Sequence, residues 1–176
     1  MKAIKIISLI LCINSCSPSM NEIKNVYEKR SVLLNAFLSK SVMRSRGQNY
    51  IIFYTHKGGK TNQYFFEDST NQYSFMRDSI EYNPDIIGLK NKSGTELYKQ
   101  ELISYVKPLV KEMDALGIRD IKGDLYSLGI DLKIYMKSKG VILYVSDRKK
   151  ITSSQWQSYV GSMKKFDENW YYTIEE

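Results

Sequence analysis

Between Asn21 and about Arg44 the apolar residues Ile23, Val26, Tyr27, Leu33, Leu34, Phe37, Leu38 and Val42 recur at intervals of three and four. That period marks one face of a helix, with Asn21 placed to cap its start, Lys and Arg gathered near its end, and Gly47 to stop it. The pattern then changes. Tyr50-Ile51-Ile52-Phe53-Tyr54 is a β-branched and aromatic run, Lys57-Gly58-Gly59-Lys60 is turn-forming, and Tyr64-Phe65-Phe66 resumes the run, so a hairpin is predicted. From Asp68 to Lys92 the pattern is weak. Short strands fit Tyr73 to Phe75 and Ile80 to Tyr82, and Asn83-Pro84-Asp85 carries turn chemistry.

Ser93-Gly94-Thr95-Glu96 has the spacing of a capping box, and Tyr98, Leu102, Tyr105, Val106, Leu109, Val110, Met113 and Leu116 form the clearest helical stripe in the chain. Gly117 closes it, and Pro108 is expected to kink it by removing a backbone donor. Ile130, Leu132, Ile134 and Met136 alternate with Asp131, Lys133, Tyr135 and Lys137, and Val141 to Val145 follow the turn Ser138-Lys139-Gly140. This predicts a second hairpin with one buried and one wet face. Thr152 and Gln155 repeat the capping-box spacing ahead of Trp156, Tyr159, Val160 and Met163, and Trp170 to Ile174 reads as a last strand. The sum is an α+β fold: an antiparallel sheet of about five or six strands with two or three packed helices, in a single domain over 21–176.

Composition agrees with one folded domain. The 176 residues are 43% hydrophobic and 26% charged, without a low-complexity tract, an internal repeat or a long linker.

The first residues follow a different logic. Lys2 and Lys5 precede an apolar run of about eight residues, Ile6 to Ile13, far short of the ~20 that span hydrocarbon as a helix. This reads as a signal peptide over 1–15 rather than a permanent span. Ile13-Asn14-Ser15-Cys16 resembles the lipobox of bacterial lipoproteins, in the looser form of small Bacteroidota envelope lipoproteins, with Ile13 and Asn14 in place of the commoner Leu and Ala or Ser. The resemblance covers only about the first sixteen residues. It implies cleavage between Ser15 and Cys16, a diacylglyceryl group on the Cys16 sulfur, and a lipidated tether over 16–20. Acyl chains at ~0.8 kcal/mol per buried methylene would hold such a protein on a bilayer. Ser17 is not the Asp that retains enteric lipoproteins in the inner membrane, which implies the outer membrane.

Processing also changes the charge and thiol content. Loss of Lys2 and Lys5 lowers the net charge from +7 to +5, and the remaining basic residues are spread among Asp and Glu rather than clustered, which argues against a nucleic-acid interface. A basic face near the anchor would still suit anionic lipid or lipopolysaccharide phosphates. Cys12 leaves with the signal peptide and Cys16 is consumed by the lipid, so no disulfide, thiol redox pair or cysteine metal site is expected in the mature domain.

Candidate chemistry is sparse. Lys57-Gly58-Gly59-Lys60-Thr61 is too short between its glycines and precedes a strand rather than a helix, so it reads as a turn and not a phosphate-binding loop. His56 is the sole histidine and has no nucleophile elbow beside it; a surface histidine flanking a turn is expected. Glu67 with Asp68, or Asp120 with Asp124, have the composition of a glycosidase pair or a metal site but not the spacing of a calcium loop, and read as solvated charge. No cofactor or metal is implied. Fourteen Tyr and two Trp raise a further option, because aromatic faces on a sheet stack on sugars or peptides. Tyr135, Tyr144, Tyr171 and Tyr172, with Trp170, are the candidate ligand-binding aromatics, while Trp156 and Trp170 are also expected as core anchors. The expected function is that of a membrane-anchored envelope lipoprotein with a non-catalytic binding or accessory domain for an envelope protein or glycan. The alternative is an envelope hydrolase acting on glycan or peptide through a carboxylate site.

Overall fold

The computed structural model describes residues 20–45, 49–57, 60–69, 72–78, 87–91 and 94–174. Four helices and nine strands follow in the order α1 (Met20–Glu28), α2 (Arg30–Phe37), β1 (Lys40–Arg44), β2 (Tyr50–Lys57), β3 (Lys60–Ser69), β4 (Gln72–Asp78), α3 (Glu96–Ala115), β5 (Ile118–Leu125), β6 (Ile130–Met136), β7 (Gly140–Tyr144), α4 (Ser154–Ser162), β8 (Lys164–Lys165) and β9 (Trp170–Ile174). All strands join one sheet in the order β4-β3-β2-β1-β5-β6-β7-β9-β8, with every neighbouring pair antiparallel. The α+β class with a single antiparallel sheet is as the sequence predicts, and the sheet is larger than five or six strands. The additions are β1, β5 and the two-residue β8.

The predicted helix over 21–44 is corrected. It breaks at Lys29 and ends at Phe37, and Lys40–Arg44 pairs with both β2 and β5. Val42 satisfies the helical period of the preceding residues and also the pleat of a strand, and the ladder bonds offered on both sides decide for the strand. Gly47 and the turn residues Gly58 and Gly59 lie outside the described residues, but Lys57 faces Lys60 across the ladder, so the β2–β3 connection is a two-residue hairpin as predicted. The short strand at Ile80–Tyr82 and the Asn83-Pro84-Asp85 turn also lie outside the described residues.

The helix α3 begins with Thr95 as its cap, whose hydroxyl accepts a hydrogen bond from the Tyr98 amide, and not with Ser93. It runs through Pro108 without interruption and closes at Gly117, whose φ of +67° takes the left-handed conformation that a helix C-terminus favours. At α4 the cap is Ser153 rather than Thr152.

Alternation along the strands gives the sheet two faces. On one, Val42, Ile51, Phe53, Tyr64, Phe66, Ile121, Leu132, Ile134 and Ile142 pack with Ile23 and Val26 of α1, Leu33 and Phe37 of α2 and the Tyr98–Met113 stripe of α3 in one core. On the other, α4 covers the end from β6 to β9, where Val141, Leu143 and Tyr171 pack with Val160 and Met163 and Trp156 lies by Lys133. Among the described residues nothing covers the opposite side of β1, β2, β3 and β5.

The tightest approach in the fold is at Gly123 of β5. A methyl group there would fall on the Phe37 carbonyl oxygen, with the Leu38 and Lys40 carbonyls also too near. Those are backbone atoms that cannot rotate away. Gly123→Ala is therefore expected to lower stability by about 2–3 kcal/mol or more, read as a drop in the urea midpoint with an unchanged slope; a neutral midpoint would show that the α2–β1 turn yields freely.

Candidate functional site

The uncovered half-face is built by one rule of strand geometry. Because alternate residues point to opposite sides, burying Ile51, Phe53 and Thr55 under the helices sends Tyr50, Ile52, Tyr54 and His56 to the other side. The ladder places Met43 beside Ile52 and Phe65 on its other flank, and sets Lys122 opposite Lys133. A register shift in the β5–β6 pair between Ile118 and Asp120 turns Arg119 and Asp120 toward the same area, where Tyr135 faces Asp120. The result is a hollow of about 810 Å³ lined by Met43, Arg44, Ser45, Tyr50, Ile52, Arg119, Asp120, Lys122 and Tyr135. A shallower hollow of about 320 Å³ lies on the same side, between Lys133 and the α4 residues Gln155, Trp156 and Tyr159.

Charge in the larger hollow is mostly positive. Arg44 reaches out of it to Asp114 at 2.7 Å and Asp68 at 3.4 Å. Asp120 is the only carboxylate among the lining residues, and both of its oxygens are engaged: Oδ1 accepts from the Arg44 amide at 2.9 Å and Oδ2 from Arg119 Nε at 2.8 Å. Tyr135 is ringed by cations, with Lys133 Nζ 4.6 Å, Arg119 Cζ 5.3 Å and Lys122 Nζ 5.6 Å from its centroid. Lys133 is also 4.6 Å from the centroid of Trp156 and 5.6 Å from that of Tyr159.

The predicted ligand-binding aromatics are scattered by the fold. Tyr135 is in the hollow. Tyr144 points to the helix-covered side and packs on Trp170 with centroids 5.1 Å apart. Tyr171 is fully buried under α4 and presents no ring face to a ligand, and Tyr172 is nearly buried on the opposite side, where it reaches only a separate hollow with Met20, Ser162 and Lys164. The strand β9 is interior to the sheet and loaded on both faces, which the period of its sequence does not reveal. Trp170 is the core anchor expected of it, whereas Trp156 is only half-buried and belongs to the shallow hollow. Tyr50, Trp156, Tyr159, Arg119, Lys122 and Lys133 are the site residues the sequence reading missed. The readable signal was the Tyr50-x-Ile52-x-Tyr54 alternation, apolar on the side that also had to stay half-wet. Cys16 and Ser15 lie outside the described residues.

The acidic pairs do not form. Glu67 accepts from Ser74 while Asp68 pairs with Arg44, and no hydrogen bond or ion pair joins Asp120 to Asp124 among the described residues. Burial pushes the Asp124 carboxyl up, and its φ is +57°. Among the described residues no group of three or more metal-ligating side chains is assembled, and no helix is long and apolar enough to cross a membrane.

His56 flanks the β2–β3 turn as expected but is less exposed than a surface histidine. It is half-buried on the open face, with Nε2 3.0 Å from Ser41 Oγ and Nδ1 3.1 Å from Thr61 Oγ1. Ser41 accepts from the Gly123 amide at 3.1 Å and donates to the Gly123 carbonyl at 3.4 Å. With the Ser41 proton on that carbonyl, His56 must carry its proton on Nε2 and accept from Thr61 at Nδ1, a neutral ring with both nitrogens satisfied. A serine this buried, with its oxygen spent on backbone, is a strut between β1 and β5 rather than a nucleophile.

Comparison with family models, with curated proteins and with solved structures gives no match.

Burial holds His56 below its ordinary value, so the unfolded chain takes up the proton first on acidification. Its contribution to stability is then complete above pH ~6.5 and is lost as pH falls from there toward the folded-state value. Since it is the sole histidine, a pH series of denaturation midpoints should show this acid-side slope in the wild type and lose it in His56→Gln. An identical slope in both would mean that His56 is free to charge in the folded protein.

Proposed function

We propose that this chain is a lipid-anchored envelope protein whose domain binds an envelope ligand without transforming it, using the uncovered half of its sheet. The observation that carries the binding reading is the hollow on β1, β2, β5 and β6, where aromatic, aliphatic and cationic side chains converge on one concave surface. Exposed hollows of that size lined by a few oriented polar groups and aromatic rings are where ligands bind. The single lining carboxylate is committed to Arg119 and to the Arg44 amide, which favours binding over acid–base hydrolysis. Anchorage rests on the resemblance of Ile13-Asn14-Ser15-Cys16 to a lipobox, and the outer membrane on Ser17.

Two measurements test the two halves of this reading. Mass spectrometry of the membrane fraction should find a peptide beginning at Cys16 with diacylglyceryl mass, absent from cells making Cys16→Ala; an unlipidated mature chain would overturn the anchor. For the binding face, a photoreactive benzoylphenylalanine is placed in whole cells at Ile52 in the hollow or at Val32, which is exposed on α2. Light-dependent adducts are expected at Ile52 and not at Val32, and Tyr50→Ala should reduce the Ile52 yield severalfold. Equal labelling at both positions, or none at Ile52, would remove the binding role of this face.

A further inference from the structure

Three cations around one tyrosine ring are an unusual charge arrangement, and only one of them has a counter-ion. Arg119 is paired with Asp120 at 2.8 Å. Among the described residues no carboxylate lies within ion-pair distance of the Lys122 or the Lys133 ammonium. Lys133 is the more telling of the two, because its residue is only 8% exposed. A buried lysine normally has a carboxylate or a set of acceptors. Here its ammonium lies against Tyr135, which lines the larger hollow, and against Trp156 and Tyr159, with which it lines the shallower one. Ring faces ease the cost of burying the charge but do not neutralise it.

Counting charges identifies the missing partner. Arg119, Lys122 and Lys133 less Asp120 leave two positive charges around the Tyr135 ring. A carboxylate ligand would neutralise half of that, whereas a phosphate monoester carries close to two negative charges at neutral pH and has three oxygens to share among separate donors. Tyr50 lines the larger hollow and Trp156 the shallower one, available to the body of the ligand.

We propose that the Lys122–Lys133–Arg119 cluster around Tyr135 is a binding site for a phosphate monoester group. This rests on the reading of the uncovered sheet face as the binding surface and names the chemistry it selects. The phosphate can be carried by a soluble sugar phosphate or by a lipid headgroup, and both present the same dianion to the cluster.

The test uses the mature chain from Cys16 with Cys16→Ser, and compares glucose 1-phosphate with glucose by calorimetry. In parallel, vesicles of phosphatidylcholine and phosphatidic acid in equal amounts are compared with pure phosphatidylcholine vesicles by co-sedimentation. Binding of a phosphate probe and not its uncharged counterpart is expected, weakening with added salt. Lys133→Gln and Lys122→Gln should each cost about tenfold or more in affinity, the scale of a lost charge-assisted hydrogen bond, while Lys24→Gln on α1 leaves it unchanged. Binding of glucose 1-phosphate assigns a soluble source, and binding of phosphatidic acid vesicles alone assigns a lipid headgroup. Because Lys133 is nearly buried with its ammonium against Trp156, Lys122→Gln decides if Lys133→Gln fails to fold by circular dichroism. Failure of both probes, or binding that Lys122→Gln leaves intact, overturns the phosphate site. Continued labelling from Ile52 in that case would leave the sheet-face reading standing, whereas loss of that labelling would remove both.

Discussion

The structure depends on a seam of two paired positions. Strands β2, β3 and β4 reach the rest of the sheet only through β1, and β6, β7, β9 and β8 only through β5. The two strands meet at Ser41 with Lys122 and Val42 with Ile121. So short a ladder would be weak by itself. It is reinforced on the helix side by Val42 and Ile121, both fully buried, and on the open side by the Ser41 hydroxyl, which bonds both backbone groups of Gly123. Beyond the ladder the Asp120 carboxylate replaces the next backbone acceptor by taking the Arg44 amide. The absence of a side chain at Gly123 lets the α2–β1 turn sit directly on β5. The open face exists because this seam holds the sheet in one piece without needing a helix on both sides.

This explains which parts of the fold could be read in the sequence. The hairpins of β2 with β3 and of β6 with β7, the strand β9 and the helix α3 are local in sequence, and their periods and turn residues specify them. The seam is not local. Lys40–Arg44 continues the helical spacing of the residues before it, and it becomes a strand by pairing with β2 on one edge and with a partner about eighty positions away on the other. Ile118–Leu125 interrupts its own alternation with a register shift after Ile118, so that two charged residues fall where the pleat would call for an apolar one. A strand with Arg119, Asp120, Lys122 and Asp124 in eight positions does not look amphipathic until its polar side is seen to face a hollow.

The site was legible to the extent that its key residues are aromatic. The alternation that predicts a wet face on β6 correctly sends Tyr135 and Lys133 to the same side. What the sequence could not give is that Lys122 faces Lys133 across the β5–β6 ladder, or that α4 brings Trp156 and Tyr159 over that lysine. Tyr171 and Tyr172 are adjacent, so a strand must send their rings to opposite faces. Both faces at that point are covered, one by α4 and the other by the main core. Adjacent aromatics at the end of a chain therefore mark a doubly buried strand here rather than a platform.

The energetics of the Tyr135 cluster set a limit on what it can be for. The two lysine ammonium groups each lie within 5.6 Å of one ring centre. Their mutual repulsion is therefore on the order of 1 kcal/mol in a half-wet site. Each contact with an aromatic face returns about 0.5–1 kcal/mol, or about 2 where water is excluded. Four such contacts exceed that repulsion, but the surplus goes against the cost of taking the nearly buried Lys133 ammonium out of water, so the cluster contributes little to folding. The one carboxylate present, Asp120, is shared between Arg119 and the Arg44 amide at the β1–β5 seam, and it pairs with neither lysine. A charge arrangement that folding does not reward and a nearby acid does not quench gains most when an anion arrives from outside, and that ordering of energies is what links this surface to a ligand rather than to stability.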